Sequence, residues 1–151
     1  MTAAKGKNKI LVIDDEPHIV GYLKVLLEDN GYSVVSSTNP ACVIKMAGNE
    51  KPDLICLDIM MPRQTGLSLY KDIRQNQILH NIPVVVISAV ENAVHGFKKL
   101  FDRLTETNGI TAPDAFFEKP INAANLLNFI NTTLKPNLHK DNNTQTCQNK
   151  Q

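Results

Sequence analysis

Three short, unbroken apolar runs constrain this chain more than anything else in it: KILVI at 9–13, DLICL at 53–57 and PVVVI at 83–87. A strand with one wet face alternates apolar and polar residues, whereas a run without a polar break is buried on both faces. YSVVSS (32–37) and AFF (115–117) read as two further strands. Between these runs the apolar period becomes that of a helix. Ile19, Leu23, Leu26 and Leu27 recur at helical spacing behind Pro17, which suits a first helical turn. Asp15 and Glu16 are favourably placed at the start of that helix, and Gly31 ends it. Asn39 and Pro40 open a short helix with Val43, Met46 and Ala47 on its apolar side and Gly48 at its end. Three more helices are expected: near 67–78, at 92–107 with Val94, Phe97, Leu100, Phe101 and Leu104, and at 122–134 with Leu126, Leu127, Ile130 and Leu134. Five strands alternating with five helices predict an α/β fold, a parallel sheet covered on both faces.

At 151 residues, 42% hydrophobic and 21% charged, the chain has the length and composition of one globular domain with one core. A formal charge of +1 is too weak a field to make nucleic acid or an anionic membrane the main partner. The basic start MTAAKGKNK is followed by too short an apolar run for a signal peptide, and nothing approaches a membrane span. Cys42, Cys56 and Cys147 form neither a zinc pattern nor a disulfide framework, so a reducing, cytoplasmic setting is expected, with Cys56 a small core residue. His18, His80, His95 and His139 are scattered and read as surface or structural. The expected organisation is a basic, flexible N-terminus (1–8), one domain (9–134) and a polar, disordered tail (135–151).

Ligands of an open α/β sheet bind beyond the carboxyl ends of its strands. The polar residues that follow each strand are therefore the candidates for chemistry: Asp14 and Asp15, then Asp58, then Ser88, then Glu118, Lys119 and Pro120. Each has a plain structural reading. Asp15 and Ser88 suit helix caps, and Lys119 suits a solvated turn. Their arrival at one end of one sheet is harder to attribute to chance. Three carboxylates close together repel unless a cation sits among them, and hard oxygen ligands favour Mg²⁺. A carboxylate beside Mg²⁺ and a lysine can attack phosphorus and form an acyl phosphate. No glycine-rich phosphate loop is present to hold a nucleotide.

ILVIDDEP, DLICLDIMMPRQTG, VVISA and FFEKPI, in this order, resemble the receiver domain of bacterial two-component response regulators over roughly 8–134. The resemblance implies a doubly wound, flavodoxin-like five-stranded parallel sheet of order 2-1-3-4-5. By position, Asp58 is similar to the phospho-accepting aspartate. Asp14 and Asp15 match the acidic pair that holds Mg²⁺ with Asp58 and the backbone carbonyl of Met60. Ser88 matches the switch hydroxyl, Ala89 the small residue after it, Lys119 the lysine that contacts phosphoryl oxygens, and Phe116 the aromatic switch position. The Lys119–Pro120 bond is expected to be cis. Pro62 and Gly66 fit the loop after the acceptor, with Gly66 serving a backbone turn. The implied partners are a sensor histidine kinase or histidine phosphotransfer protein and a downstream protein, with phosphorylation-linked dimerisation one outcome. The implied protein is a switch acting through the face formed by its fourth helix, fifth strand and fifth helix (the α4-β5-α5 face of the family) rather than a turnover enzyme. No output domain is expected within 135–151, whether the chain is a stand-alone receiver or a piece of a longer protein.

Two other classes compete. An interaction module that lost the chemistry would lack the acidic pair, the acceptor or the lysine, and none is missing. A phosphatase-type hydrolase wants a general acid two residues after its nucleophile, where Met60 stands. Two features depart from the family pattern. The interval from Ser88 to Lys119 is longer by about two helical turns, roughly 7 residues, within FDRLTETNGITAPD. It reads either as a remodelled output surface or as a tolerated surface insertion. Met60 and Val90 are apolar where the placing of attacking water is decided, which implies a long-lived phosphoryl group.

Overall fold

The computed structural model describes residues 6–61, 66–89 and 93–134, apart from the side chains of 93–97 and 100. The apolar runs form the strands β1 (Lys9–Ile13), β3 (Leu54–Asp58) and β4 (Val84–Ser88), with β2 (Ser33–Ser37) and β5 (Ala115–Glu118) completing a five-stranded parallel sheet. Its order is β2-β1-β3-β4-β5, as the resemblance implied. Every residue of β3 and β4 is buried, which is what unbroken apolar runs require. Helices α1 (Pro17–Asp29), α2 (Val43–Glu50), α3 (Gly66–Gln75) and α4 (Ala93–Asn108) alternate with the strands. Beyond Ile121 a second unit carries α5 (Ala123–Leu134), whose Asn122 side chain accepts from the Asn125 N–H at 3.1 Å.

Strand alternation sorts the core. Leu11, Ile13, Ile55, Leu57, Val84 and Val86 share one cluster with Val43 and Ala47 of α2, Leu69, Tyr70 and Ile73 of α3, and Phe101 of α4. Ile10, Val12, Leu54, Cys56, Val85 and Ile87 are equally buried on the opposite face. There α1 lies along β1 and β2 and buries Val20, Leu23 and Leu27. Cys56 is a core residue, and burial pushes its thiol up to about 12.

Several boundaries differ from the sequence reading, each for a local reason. Strand β3 runs to Asp58 and begins after Asp53, whose Oδ2 accepts from the Lys9 N–H at 2.8 Å. Helix α2 passes through Gly48, and Lys51 ends it with a left-handed φ of 50°. Helix α3 stops at Gln75 because the Asn76 side chain accepts from the Ile78 and Leu79 N–H groups at 2.9 and 3.1 Å, an alternative to helical bonding. Among the described residues no helix is long and apolar enough to cross a membrane. The terminal segments 1–5 and 135–151, Cys147 and His139 lie outside the described residues.

Gly66 is required by a close approach of backbone. A Cβ there would lie 2.4 Å from the Ile59 Cα and 2.5 Å from the Asp58 carbonyl oxygen. The bare backbone lets the Gly66 N–H donate to the Ile59 carbonyl at 2.9 Å, docking the start of α3 on the end of β3. Replacing Gly66 by Ala is expected to cost about 1–3 kcal/mol, because the obstructing atoms are backbone. Gly48→Ala, with open space around it, should instead gain about 0.5–1 kcal/mol of helix stability. Urea unfolding of both variants checks the contrast.

Candidate functional site

Parallel register decides which residues meet at the carboxyl edge. Ile13 pairs with Leu57, so Asp14 and Asp58 stand level on neighbouring strands. Asp58 pairs with Ile87, which puts Ser88 one residue farther out. Ser88 pairs with Glu118, and Lys119 follows. The Lys119 N–H donates to the Ser88 carbonyl at 2.8 Å, and the Lys119–Pro120 bond is cis. By alternation Ser88 shares the face of Val86 and Phe116, while Asp58 shares that of Cys56.

Asp14 and Asp58 are each only 2% exposed. Each commits Oδ1 to a backbone N–H two residues ahead: Glu16 for Asp14 and Met60 for Asp58, both at 2.9 Å. Each turns Oδ2 to the Lys119 ammonium, at 2.8 Å for Asp14 and 3.5 Å for Asp58. The Lys119 side chain is 9% exposed and also meets Glu16 Oε1 at 3.6 Å. Burial pulls the ammonium down. The hydrogen bond to Asp14 and the charges of Asp58, Asp14 and Glu16 outweigh it, so the group is held above its ordinary value.

The carboxylates are not balanced by that one ammonium. Burial raises the Asp58 carboxyl most. The Met60 N–H lowers it, Asp14 raises it, Lys119 lowers it and Asp15 raises it, leaving it pushed up to about 6. Asp14, Asp15 and Glu16 bring ligand oxygens within 4.8 Å of one another. An all-oxygen, anion-rich set that keeps a buried carboxyl reluctant to ionise is the setting a hard dication stabilises, so the residues fit Mg²⁺.

Other candidates take different places. Asp15 does not cap α1; Glu16 holds the N-cap position, without a side-chain bond. Ala89 is exposed just past β4, and Met60 is 51% exposed beside Asp58. Phe116 is half-buried and packs on Phe101, away from the carboxylates. Pro62 and Val90 lie outside the described residues. Sequence reasoning treated Glu16 as a helix-start residue and missed it as the third member of the acidic group. Its position directly after two aspartates was the available signal.

Without metal, Asp58 holds its proton more tightly folded than unfolded, since its folded value of about 6 exceeds the ordinary 3.8. Its contribution to stability is therefore greatest at the acid end and falls as pH rises through that window. Urea unfolding in chelator should show this fall in the parent and a flatter profile in Asp58→Asn. Added Mg²⁺ should raise the parent's stability most at the upper end.

The family profile described as response regulator receiver domain matches residues 10–131. The chain is 41% identical over 81 residues to the alkaline phosphatase synthesis transcriptional regulatory protein PhoP of Bacillus subtilis, covering 54% of this chain and 33% of that protein. It is 34% identical over 82 residues to the transcriptional regulatory protein CpxR of Escherichia coli, covering 54% and 34%. The matched stretch thus spans about a third of these curated relatives. Among solved structures, a receiver domain of a Francisella response regulator is 27% identical with a TM-score of 0.67, covering 84% of this chain and 96% of that one. The Vibrio cholerae chemotaxis protein CheY4 shares the fold at 22% identity and a TM-score of 0.70, covering 85% and 100%. The chain belongs to the response regulator receiver domain family of two-component systems.

Proposed function

We propose that this chain is a phosphorylation switch in which Asp58 accepts a phosphoryl group from a phosphohistidine of a sensor kinase or histidine phosphotransfer protein. Receiver domains are phosphoacceptor switches rather than classical enzymes, and they partner with histidine kinases. The observation that supports the reading best is the buried Asp58 carboxylate at a strand end, with Asp14 alongside and the Lys119 ammonium between them.

In this reading Asp58 Oδ2, the oxygen not held by the Met60 N–H, attacks phosphorus. The P–N bond to the imidazole breaks as the P–O bond forms, and the imidazole regains a proton from solvent. Lys119 offers its donors to the phosphoryl oxygens, and Ser88 its hydroxyl. Ala89 keeps the approach open. Asp14, Asp15, Asp58 and the Met60 carbonyl would hold Mg²⁺, with Glu16 adding charge close by. Bound there, the ion would supply positive charge to offset that of the transferring group. Phosphorylation then favours a state with Ser88 drawn toward the phosphate and Phe116 turned inward, a population shift read by a downstream protein.

Incubation with a small acyl-phosphate donor should add the mass of one phosphoryl group in Mg²⁺ and none in chelator. Asp58→Asn should gain nothing. No mass gain in the parent under either condition would point to an interaction module that has lost its chemistry. The exposed Met60 side chain offers no acid or base to an attacking water, so the acyl phosphate should persist for minutes or longer. Decay within seconds, followed by mass or by gel, would contradict that.

A further inference from the structure

Among the described residues, a polar network built on a buried arginine lies outside the acidic site. The Arg74 side chain on α3 is only 5% exposed. Its Nε donates to the Tyr70 hydroxyl at 3.0 Å, one terminal nitrogen donates to the His80 and Ile82 carbonyls at 3.1 and 2.8 Å, and the other donates to Asp114 Oδ2 at 3.1 Å. Tyr70, fully buried, donates its hydroxyl to the Thr111 carbonyl. Burial pushes that phenol up, and the Arg74 hydrogen bond and charge offset this only in part, so it stays a donor. Asp114 Oδ2 also accepts from the Val84 N–H at 2.9 Å. Helix α3 thus grips the α4–β5 connection at Thr111 and Asp114. Ile110, buried in the core cluster, anchors the same segment, and its carbonyl lies 2.6 Å from the Thr105 hydroxyl. The long interval between Ser88 and Lys119 is therefore more than a surface insertion. Deleting 107–112 would remove a core residue as well as a loop.

Tyr70 is also the inner end of an aromatic row. Its ring meets Phe101 edge-on, with centroids 4.8 Å apart and planes at 79°. Phe101 in turn meets Phe116 at 5.5 Å and 58°. Edge contacts of this kind are directional, and close-packed rings move in steps rather than by continuous deformation. Phe101 is therefore the wall behind Phe116, and Tyr70 holds that wall from the other side.

We propose that Tyr70 and Arg74 are positioning residues for the switch: they hold the Phe101 ring as the back of the seat that Phe116 enters, coupling the α4–β5 connection to the state of Asp58. The proposal rests on the phosphoacceptor reading above. One hydroxyl, that of Tyr70, ties the row of rings to Thr111. Any movement of Phe116 that displaces Phe101 is therefore felt at 109–114, and release of that segment loosens the seat. Such coupling is reciprocal.

The test uses the full chain with beryllofluoride and Mg²⁺ as the phosphoryl mimic, reading apparent affinity and amide hydrogen exchange over 109–114. In the parent, the mimic should change the protection of 109–114. Tyr70→Phe keeps the ring and removes both bonds of the hydroxyl. In that variant, still folded by circular dichroism, the change should shrink and the mimic's affinity fall about fivefold, the lower range for allosteric coupling. Asp114→Asn keeps an oxygen for the Val84 N–H and removes only the ion pair; it should shift both readouts in the same direction. It also decides the matter should Tyr70→Phe fail to fold. Equal affinity and equal mimic-dependent protection in the parent and the folded variants would overturn the coupling and leave the phosphoacceptor reading intact. No binding of the mimic to the parent would overturn that reading, and the coupling with it.

Discussion

Asp14 and Asp58 are held level on adjacent strands by the parallel pairing of Ile13 with Leu57, and two buried carboxylates that close must be compensated. The fold answers in two ways. The turn after each strand returns a backbone N–H to one oxygen of each aspartate. Strand β5, two places away from β3 in the sheet, supplies Lys119, whose main chain is tied to Ser88 and whose ammonium faces the remaining oxygens. The compensation is incomplete: three carboxylates face one ammonium, and Asp58, raised most by burial, is pushed up to about 6. A site with this deficit of positive charge is suited to taking up a cation and handling a phosphoryl group, whose charge needs that same neutralisation.

The sheet also separates two tasks. Asp58 belongs by alternation to the face that α1 covers, whereas Ser88 and Phe116 belong to the face of α2, α3 and α4. Both faces open on the carboxyl edge, where β3 and β4 end. Ser88, at that edge, lies by alternation on the same side as the aromatic row of Phe116, Phe101 and Tyr70. Gly66 matters here because a side chain there would press on the backbone of Asp58 and Ile59.

Much of this was legible in local patterns. Unbroken apolar runs marked the central strands, since burial on both faces leaves no polar position. The polar residues following them marked the site edge. Less legible were features set by one side chain competing with a helix, such as Asn76 ending α3, or by a backbone left in the helical conformation, as at Gly48. The segment after α4 was ambiguous for a related reason. NGITAPD looks like surface loop by composition, and only its contacts show that Ile110 is core and Thr111 an acceptor for Tyr70.

The sequence by itself determined the alternation of strands and helices and the placing of Asp14, Asp58, Ser88 and Lys119 immediately after or at the ends of strands. Period and run length are properties of neighbours along the chain. Only the tertiary structure decided that Asp14 and Asp58 share one ammonium, that Glu16 meets that same ammonium, that Gly66 must lack a side chain, and that Arg74 reaches Asp114. These depend on distances between residues from different elements. Such distances exist only once strand register and helix docking have brought the elements together, because burial and Coulomb energies change steeply over a few ångströms.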